Sequence, residues 1–198
     1  MKSWHIIVSC IVMLLWAVPA HHDGNAAIAR NIEGSELIGK PAPDLTGITW
    51  LKAKPPVLKN LRGKVVLIRL WNRHCSMCEH SAPLLNELHR KYCGKGLVVI
   101  GIHHKKTKAP DTIKEVADAA KLWKMEFAIG LDNDWISVKK LWMHNDRSMT
   151  SASILIDKNG RYVWIHPGGT LAPGSKDAIE LEKKIQQELG AGLKTPET

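Results

Sequence analysis

Cys75-Ser76-Met77-Cys78 is the segment whose residue types and spacing most directly promise chemistry. Two thiols with two residues between them fall one helical turn apart, so each sulfur can reach the other. If Cys75 sits where a buried strand meets a helix, unsatisfied backbone N–H groups and the helix dipole favour an anion there. The thiol pKa then drops from about 8.5 toward roughly 3.5–7.5, giving a thiolate at neutral pH. Cys75 is therefore the expected nucleophile, and Cys78 the resolving thiol that attacks the mixed disulfide and releases the product. The same residues allow blander uses. A local structural disulfide needs no chemistry, and half of a zinc site needs a second Cys pair that the chain lacks. Cu(I) is the sharper rival, because His74, Cys75, Met77, Cys78 and His80 pack sulfur and imidazole ligands densely. They cannot all converge if residues 76–80 are helical.

The elements that must hold this turn are legible on either side of it. Leu61-Arg62-Gly63-Lys64 turns the chain into Val65–Trp71, a nearly continuous apolar run expected of a central strand covered on both faces. Ala82, Leu84, Leu85, Leu88 and Tyr92 recur with a 3.6-residue period, which predicts a helix starting after Cys75, kinked at Pro83 and stopped near Gly94. Leu97–Ile102 is a second buried strand. Pro110-Asp111-Thr112 opens a helix carrying Val116, Ala119, Ala120 and Leu122. Phe127–Leu131 is a third strand, and Trp135–Met143 a short helix. Ser153–Asp157 and Arg161–Ile165 flank Lys158-Asn159-Gly160, whose Asn-Gly pair predicts a hairpin. A last helix covers 176–189, and Ile48–Leu51 reads as a short edge strand. The alternation predicts an α/β fold, a mixed central β-sheet flanked by helices.

The 198 residues suit one domain with short extensions, and 44% hydrophobic with 24% charged residues allows an ordinary core. A net charge of +9 raises the question of nucleic acid, yet the cations are scattered. The densest cluster, His103–Lys108, is short and lacks interleaved aromatics, so a solvated basic surface is expected and no nucleic-acid partner. At the N-terminus, Lys2, the apolar Ile6–Val18 and the small residues before His21 have the layout of a secretory signal peptide. Residues 1–20 are read as that signal or as an uncleaved anchor, with 21–37 a lead-in, 38–190 the domain and 191–198 a tail. Export, periplasmic or extracellular, would place the remaining cysteines in an oxidising compartment.

Over roughly residues 38–170 the chain resembles the TlpA/ResA-like, redoxin-related branch of the thioredoxin superfamily. The resemblance is carried by Gly39-Lys40-Pro41-Ala42-Pro43-Asp44, by Leu61-Arg62-Gly63-Lys64-Val65-Val66-Leu67 and by Trp71, four residues before Cys75. It continues through Pro83, eight residues after Cys75, and the Leu155-Ile156-Asp157…Asn159-Gly160 hairpin. It implies a thioredoxin-like fold and a thiol–disulfide oxidoreductase working through Cys75 and Cys78. Protein thiols and disulfides would be its substrates, a membrane reductase would supply electrons when it acts as a reductant, and no cofactor or metal is implied. A thiol peroxidase using Cys75 and a Cu(I)-binding chaperone are the alternatives.

The chain departs from that pattern around the dithiol. Thr150-Ser151 stands where the family places a cis-proline, and a trans Thr150–Ser151 bond is expected because a cis bond without proline costs roughly 3–4 kcal/mol. Arg69, six residues before Cys75, replaces a buried acid. It either points beneath the dithiol, where a fixed cation would stabilise a thiolate, or packs its stem and snorkels to water. Ser81 stands where relatives carry glutamate. His74 either lowers the Cys75 pKa or faces solvent, and Glu79 and His80 are expected on the exposed helix face. Cys93 is expected as a buried, inert thiol, with a second resolving thiol or an intermolecular disulfide as alternatives. His21-His22 and His103-His104 are expected as exposed polar pairs.

Overall fold

The computed structural model describes residues 33–51, 58–144 and 147–190. Residues 1–20, expected as a signal or anchor, His21-His22 and residues 191–198 lie outside the described residues. Ten regular elements follow in chain order: β1 (Thr49–Trp50), β2 (Val65–Trp71), α1 (Ser76–Tyr92), β3 (Leu97–His104), α2 (Ile113–Leu122), β4 (Ala128–Asp132), α3 (Ile136–Leu141), β5 (Ser153–Ile156), β6 (Tyr162–His166) and α4 (Lys176–Gly190). They build one six-stranded sheet in the order β1-β4-β3-β2-β5-β6. β2 runs parallel to β3, and β3 to β4, while β1, β5 and β6 join antiparallel. The mixed α/β architecture is thus the expected one.

Strand alternation sorts the core into two layers. Val65, Leu67 and Trp71 of β2 join Leu85 and Leu88 of α1, Val116 of α2 and Leu181 and Ile185 of α4 on one face. Val66, Ile68 and Leu70 join Val138 and Leu141 of α3 with Trp142 on the other. Every residue of β2 is buried, which explains why its sequence reads as an apolar run interrupted only by Arg69. Arg69 shares the parity of Leu67 and Trp71, so its side chain enters the layer that holds α1.

Local signals explain the boundaries. Thr112 caps α2 in a reciprocal capping box with Glu115. Gly160, at φ 74°, closes the β5–β6 turn, and Asp157 Oδ1 accepts from the Asn159 and Arg161 N–H groups across it. Pro83 is accommodated inside α1.

Several expectations are corrected. Within the stretch expected only as a lead-in, Ser35–Leu37 forms a 3-10 turn, Leu37 is buried, and the Glu36 carboxylate pairs with Arg147. Leu122, expected on the apolar face of α2, is 74% exposed, because the core-facing positions are Val116 and Ala120. Cys93, expected to be buried, is an exposed free thiol. It follows Tyr92, the last core-facing residue of α1, by one position, and one helical step of about 100° turns it out of the core. His103 and His104, expected to be exposed, are wholly buried. β3 runs two residues past its apolar stretch between β2 and β4, and the rings of Trp71 and Trp135 cover His103 and His104 respectively.

Candidate active site

The dithiol stands where β2 gives way to α1. Trp71 ends the strand, fully buried, its ring edge-on to His103 at 4.8 Å and 5.2 Å from Trp123. Asn72 then shapes the turn with three polar groups. Its carbonyl accepts from the Cys75 N–H at 3.0 Å, its Oδ1 from the His74 N–H at 2.9 Å, and its Nδ2 donates to the His104 carbonyl at 2.7 Å. Arg73 anchors the turn outward, donating to Asp111 at 2.7 Å and to Glu115 at 3.1 Å. Its N–H donates to His103 Nε2, a ring that burial holds down at about pKa 4 and therefore neutral. Replacing Asn72 with Ala leaves the His74 N–H and His104 carbonyl without these partners. It is expected to cost about 1–3 kcal/mol in chemical denaturation, and a loss under about 0.5 kcal/mol would contradict this role.

Cys75 occupies the N-cap position of α1 with extended backbone angles, and its sulfur accepts the Cys78 N–H at 3.2 Å. That contact is the local form of the helix-terminus effect on a thiolate. Cys75 and Cys78 form a disulfide, with Cα atoms 5.2 Å apart. Cys75 is half-buried, whereas Cys78 is only 1% exposed. An incoming group therefore meets Cys75 first.

The other residues singled out in the sequence fall into two groups. Thr150 and Ser151 face the dithiol across a small cavity of about 60 Å³ that Met77, His104 and Met149 also line. No cis peptide bond occurs among the described residues, so the Thr150–Ser151 bond is trans. The Thr150 carbonyl accepts from His104 Nε2 at 3.0 Å, and burial lowers the His104 pKa. Arg69 points beneath the dithiol and does not snorkel. It is 1% exposed, donates to Ser153 Oγ at 3.0 Å and the Gly169 carbonyl at 2.9 Å, and brings Nη2 to 3.8 Å from Cys78 Sγ. Ser81 is buried, donating to the Met77 carbonyl and accepting from the Leu171 N–H. It ties α1 to the loop that presents Gly169. His74, Glu79 and His80 are exposed, and His80 Nδ1 donates to the Ser76 carbonyl at 2.7 Å. Pro83 lies inside α1 and does not line the cavity at the dithiol. Among the described residues no three His, Cys, Asp or Glu side chains gather as a metal site.

Sequence reasoning missed Asn72, the Arg73–Asp111 pair and buried His104. Asn72 had a readable signal, an Asn directly after a buried strand, where its side chain favours turns. His104 had none, since its burial depends on how far β3 extends.

Residues 38–165 match the AhpC/TSA family. The chain is 32% identical over 126 residues to the thiol-disulfide oxidoreductase ResA of Bacillus cereus, covering 64% of this chain and 67% of that one. It is 33% identical over 180 residues to protein DipZ of Mycobacterium bovis, covering 87% of this chain. It spans only about a quarter of that relative's length. Among solved structures, a Bacteroides thetaiotaomicron protein assigned as a disulfide isomerase superposes with a TM-score of 0.64 at 25% identity, over 78% of this chain and 91% of its own. A Chlorobium tepidum protein assigned as the thiol:disulfide interchange protein DsbE gives 0.61 at 26% identity, over 77% and 98%. The fold is thioredoxin-like.

Proposed function

The chain belongs to the AhpC/TSA family, and on that premise we propose that it is a thiol–disulfide oxidoreductase exchanging disulfides with protein thiols. The observation that carries the reading is the asymmetric disulfide at the start of α1, with an approachable Cys75 capping the helix and a buried Cys78 one turn behind it. In the reducing direction, the Cys75 thiolate attacks one sulfur of a substrate disulfide. That S–S bond breaks, one substrate sulfur leaves as a thiolate and takes a proton from water, and a mixed disulfide to Cys75 forms. The Cys78 thiolate then attacks Cys75 Sγ, the second substrate sulfur leaves, and the Cys75–Cys78 disulfide closes. The oxidising direction is the reverse. The helix-terminal N–H groups stabilise Cys75 as both nucleophile and leaving group.

Thr150 and Ser151 are the groups across the cavity against which an extended substrate segment would lie. The trans backbone gives that edge a different shape from a proline turn. Trp71 and Pro83 serve as supports of the strand and the helix. His74, exposed beside Cys75, would add positive charge to the approach when protonated. Residues 1–20 support export, either cleaved or kept as an anchor, and a membrane reductase would be the electron donor for the reducing direction. Among the described residues no helix is long and apolar enough to cross a membrane. The Cu(I) reading is left without an imidazole or carboxylate ligand, because no third His, Cys, Asp or Glu gathers with the two sulfurs among the described residues. Reduction of a protein disulfide by the reduced chain, lost in Cys75→Ser, tests the proposal. Cys75-dependent peroxide consumption without protein-disulfide exchange would overturn it.

A further inference from the structure

We propose that Arg69 holds Cys78, the buried thiol, as a thiolate in the reduced protein. It thereby replaces proton transfer in the resolving step and makes the disulfide easier to reduce. The inference rests on the oxidoreductase reading above and deepens it. Its observation is a buried cation without an anion. Arg69 is 1% exposed, and its partners are Ser153 Oγ, the Gly169 carbonyl and Cys78 Sγ. Nε has no hydrogen-bond partner, and no carboxylate pairs with the guanidinium among the described residues. Burial alone draws its pKa down to about 10, so it stays charged at neutral pH.

A buried charge left unpaired is strongly unfavourable. In the disulfide form, two neutral oxygens and the uncharged sulfur of Cys78 are all that Arg69 has. Reduction leaves free to ionise the sulfur that in the disulfide form already lies 3.8 Å from Nη2. The cation then gains the counter-ion that the oxidised fold withholds, and reduced protein is stabilised relative to oxidised. A stabilised reduced form is what makes a disulfide a strong oxidant. The same contact solves the resolving step. A side chain that must deprotonate Cys78 needs a titratable group, and Arg69 is not one near neutrality. A pre-formed Cys78 thiolate needs no base: it attacks Cys75 Sγ, the substrate thiolate leaves, and that thiolate takes its proton from water.

The groups facing this centre are few. Ser81 on α1 bonds to backbone, and Glu79 and His80 point to solvent. Ser153 on β5 pairs in register with His166 on β6, which lies 3.6 Å from Asp177 on α4. Burial and the charge of Arg69 lower the His166 pKa, so it remains neutral beside the guanidinium. On the Cys75 side stand exposed His74, neutral His104 and Lys106 at the cavity rim. Among the described residues, Arg69 is therefore the one charged side chain in hydrogen-bonding contact with Cys78 Sγ.

The test is the equilibrium of the Cys75–Cys78 couple with glutathione, followed between about pH 6 and 8, for the wild type, Arg69→Met and Arg69→Lys. Each proton taken up on reduction changes the constant tenfold per pH unit, about 30 mV for a two-electron couple. The wild type is expected to take up about one proton fewer than Arg69→Met and to be at least tenfold more readily reduced at pH 7. Arg69→Lys should restore both. Independently, in a chain carrying Cys10→Ser, Cys75→Ser and Cys93→Ser, Cys78 thiolate absorbance should be half-developed below about pH 7. Equal proton uptake and equal constants in wild type and Arg69→Met would overturn the inference, as would Cys78 titrating at or above the ordinary 8.5. A chain with no reversible two-thiol couple would overturn the oxidoreductase reading as well, which separates the two failures.

Discussion

Cys78→Ser is expected to accumulate a covalent adduct, one substrate chain per protein through Cys75, while Cys75→Ser accumulates none. The difference follows from burial. Cys75 is the half-buried cap of α1, so substrate reaches it first, and Cys78 lies one turn deeper at 1% exposure. With Ser at 78 the first attack still proceeds, but no sulfur remains to displace the substrate. With Ser at 75 the N-cap hydrogen bond survives through the hydroxyl, and the nucleophile does not. Turnover in either variant should fall by about a thousandfold or more, as when a nucleophile that acts with its partners is removed. Non-reducing electrophoresis after incubation with a protein disulfide reads the adduct, and loss of the band with a thiol reductant identifies it. The exposed thiol of Cys93 and the thiol of Cys10 are further places for adducts, so both variants carry Cys10→Ser and Cys93→Ser. Adduct in the Cys75→Ser chain would reverse the assigned roles.

Trp71→Ala should be the most damaging change outside the dithiol, lowering unfolding free energy by about 3–5 kcal/mol. The side chain is wholly buried, with the rings of Trp123 and His103 packed against it. Total stability of a domain is only about 5–15 kcal/mol, so such a loss leaves a marginal protein. The effect should reach the site as well. His103 holds the Arg73 N–H, and Arg73 reaches Asp111 from the turn that delivers Cys75. Disulfide exchange should therefore slow even in the folded fraction. Denaturant unfolding followed by far-UV circular dichroism measures the first effect. A loss below about 1 kcal/mol would show that Trp71 is not a core support.

How much of this was legible follows from what each residue depends on. The strand Val65–Trp71 was readable because two buried faces leave no room for a polar alternation, and the β5–β6 turn because Asn159-Gly160 supplies the left-handed residue it needs. Cys75 and Cys78 were readable because their spacing and their neighbours all point to one turn. Arg69 was half readable. Alternation puts it on the α1 face, but whether it buries or snorkels depends on Ser153 and the Gly169 carbonyl, 84 and 100 residues away. Cys93 and His103-His104 went wrong for one reason, since each lies a residue or two beyond an apolar pattern whose end fixes its exposure. The Glu36–Arg147 pair was out of reach, because nothing local links the lead-in to the segment before β5.

The most direct measurement of the central claim is redox titration of the whole chain against glutathione, with the free thiols counted by alkylation and mass. One reversible two-electron transition is predicted, in which Cys75 and Cys78 pass together from two alkylated thiols to none while Cys93 stays alkylated throughout. A chain in which Cys75 and Cys78 remain disulfide-bonded under all glutathione ratios, or titrate as two independent thiols, would contradict it.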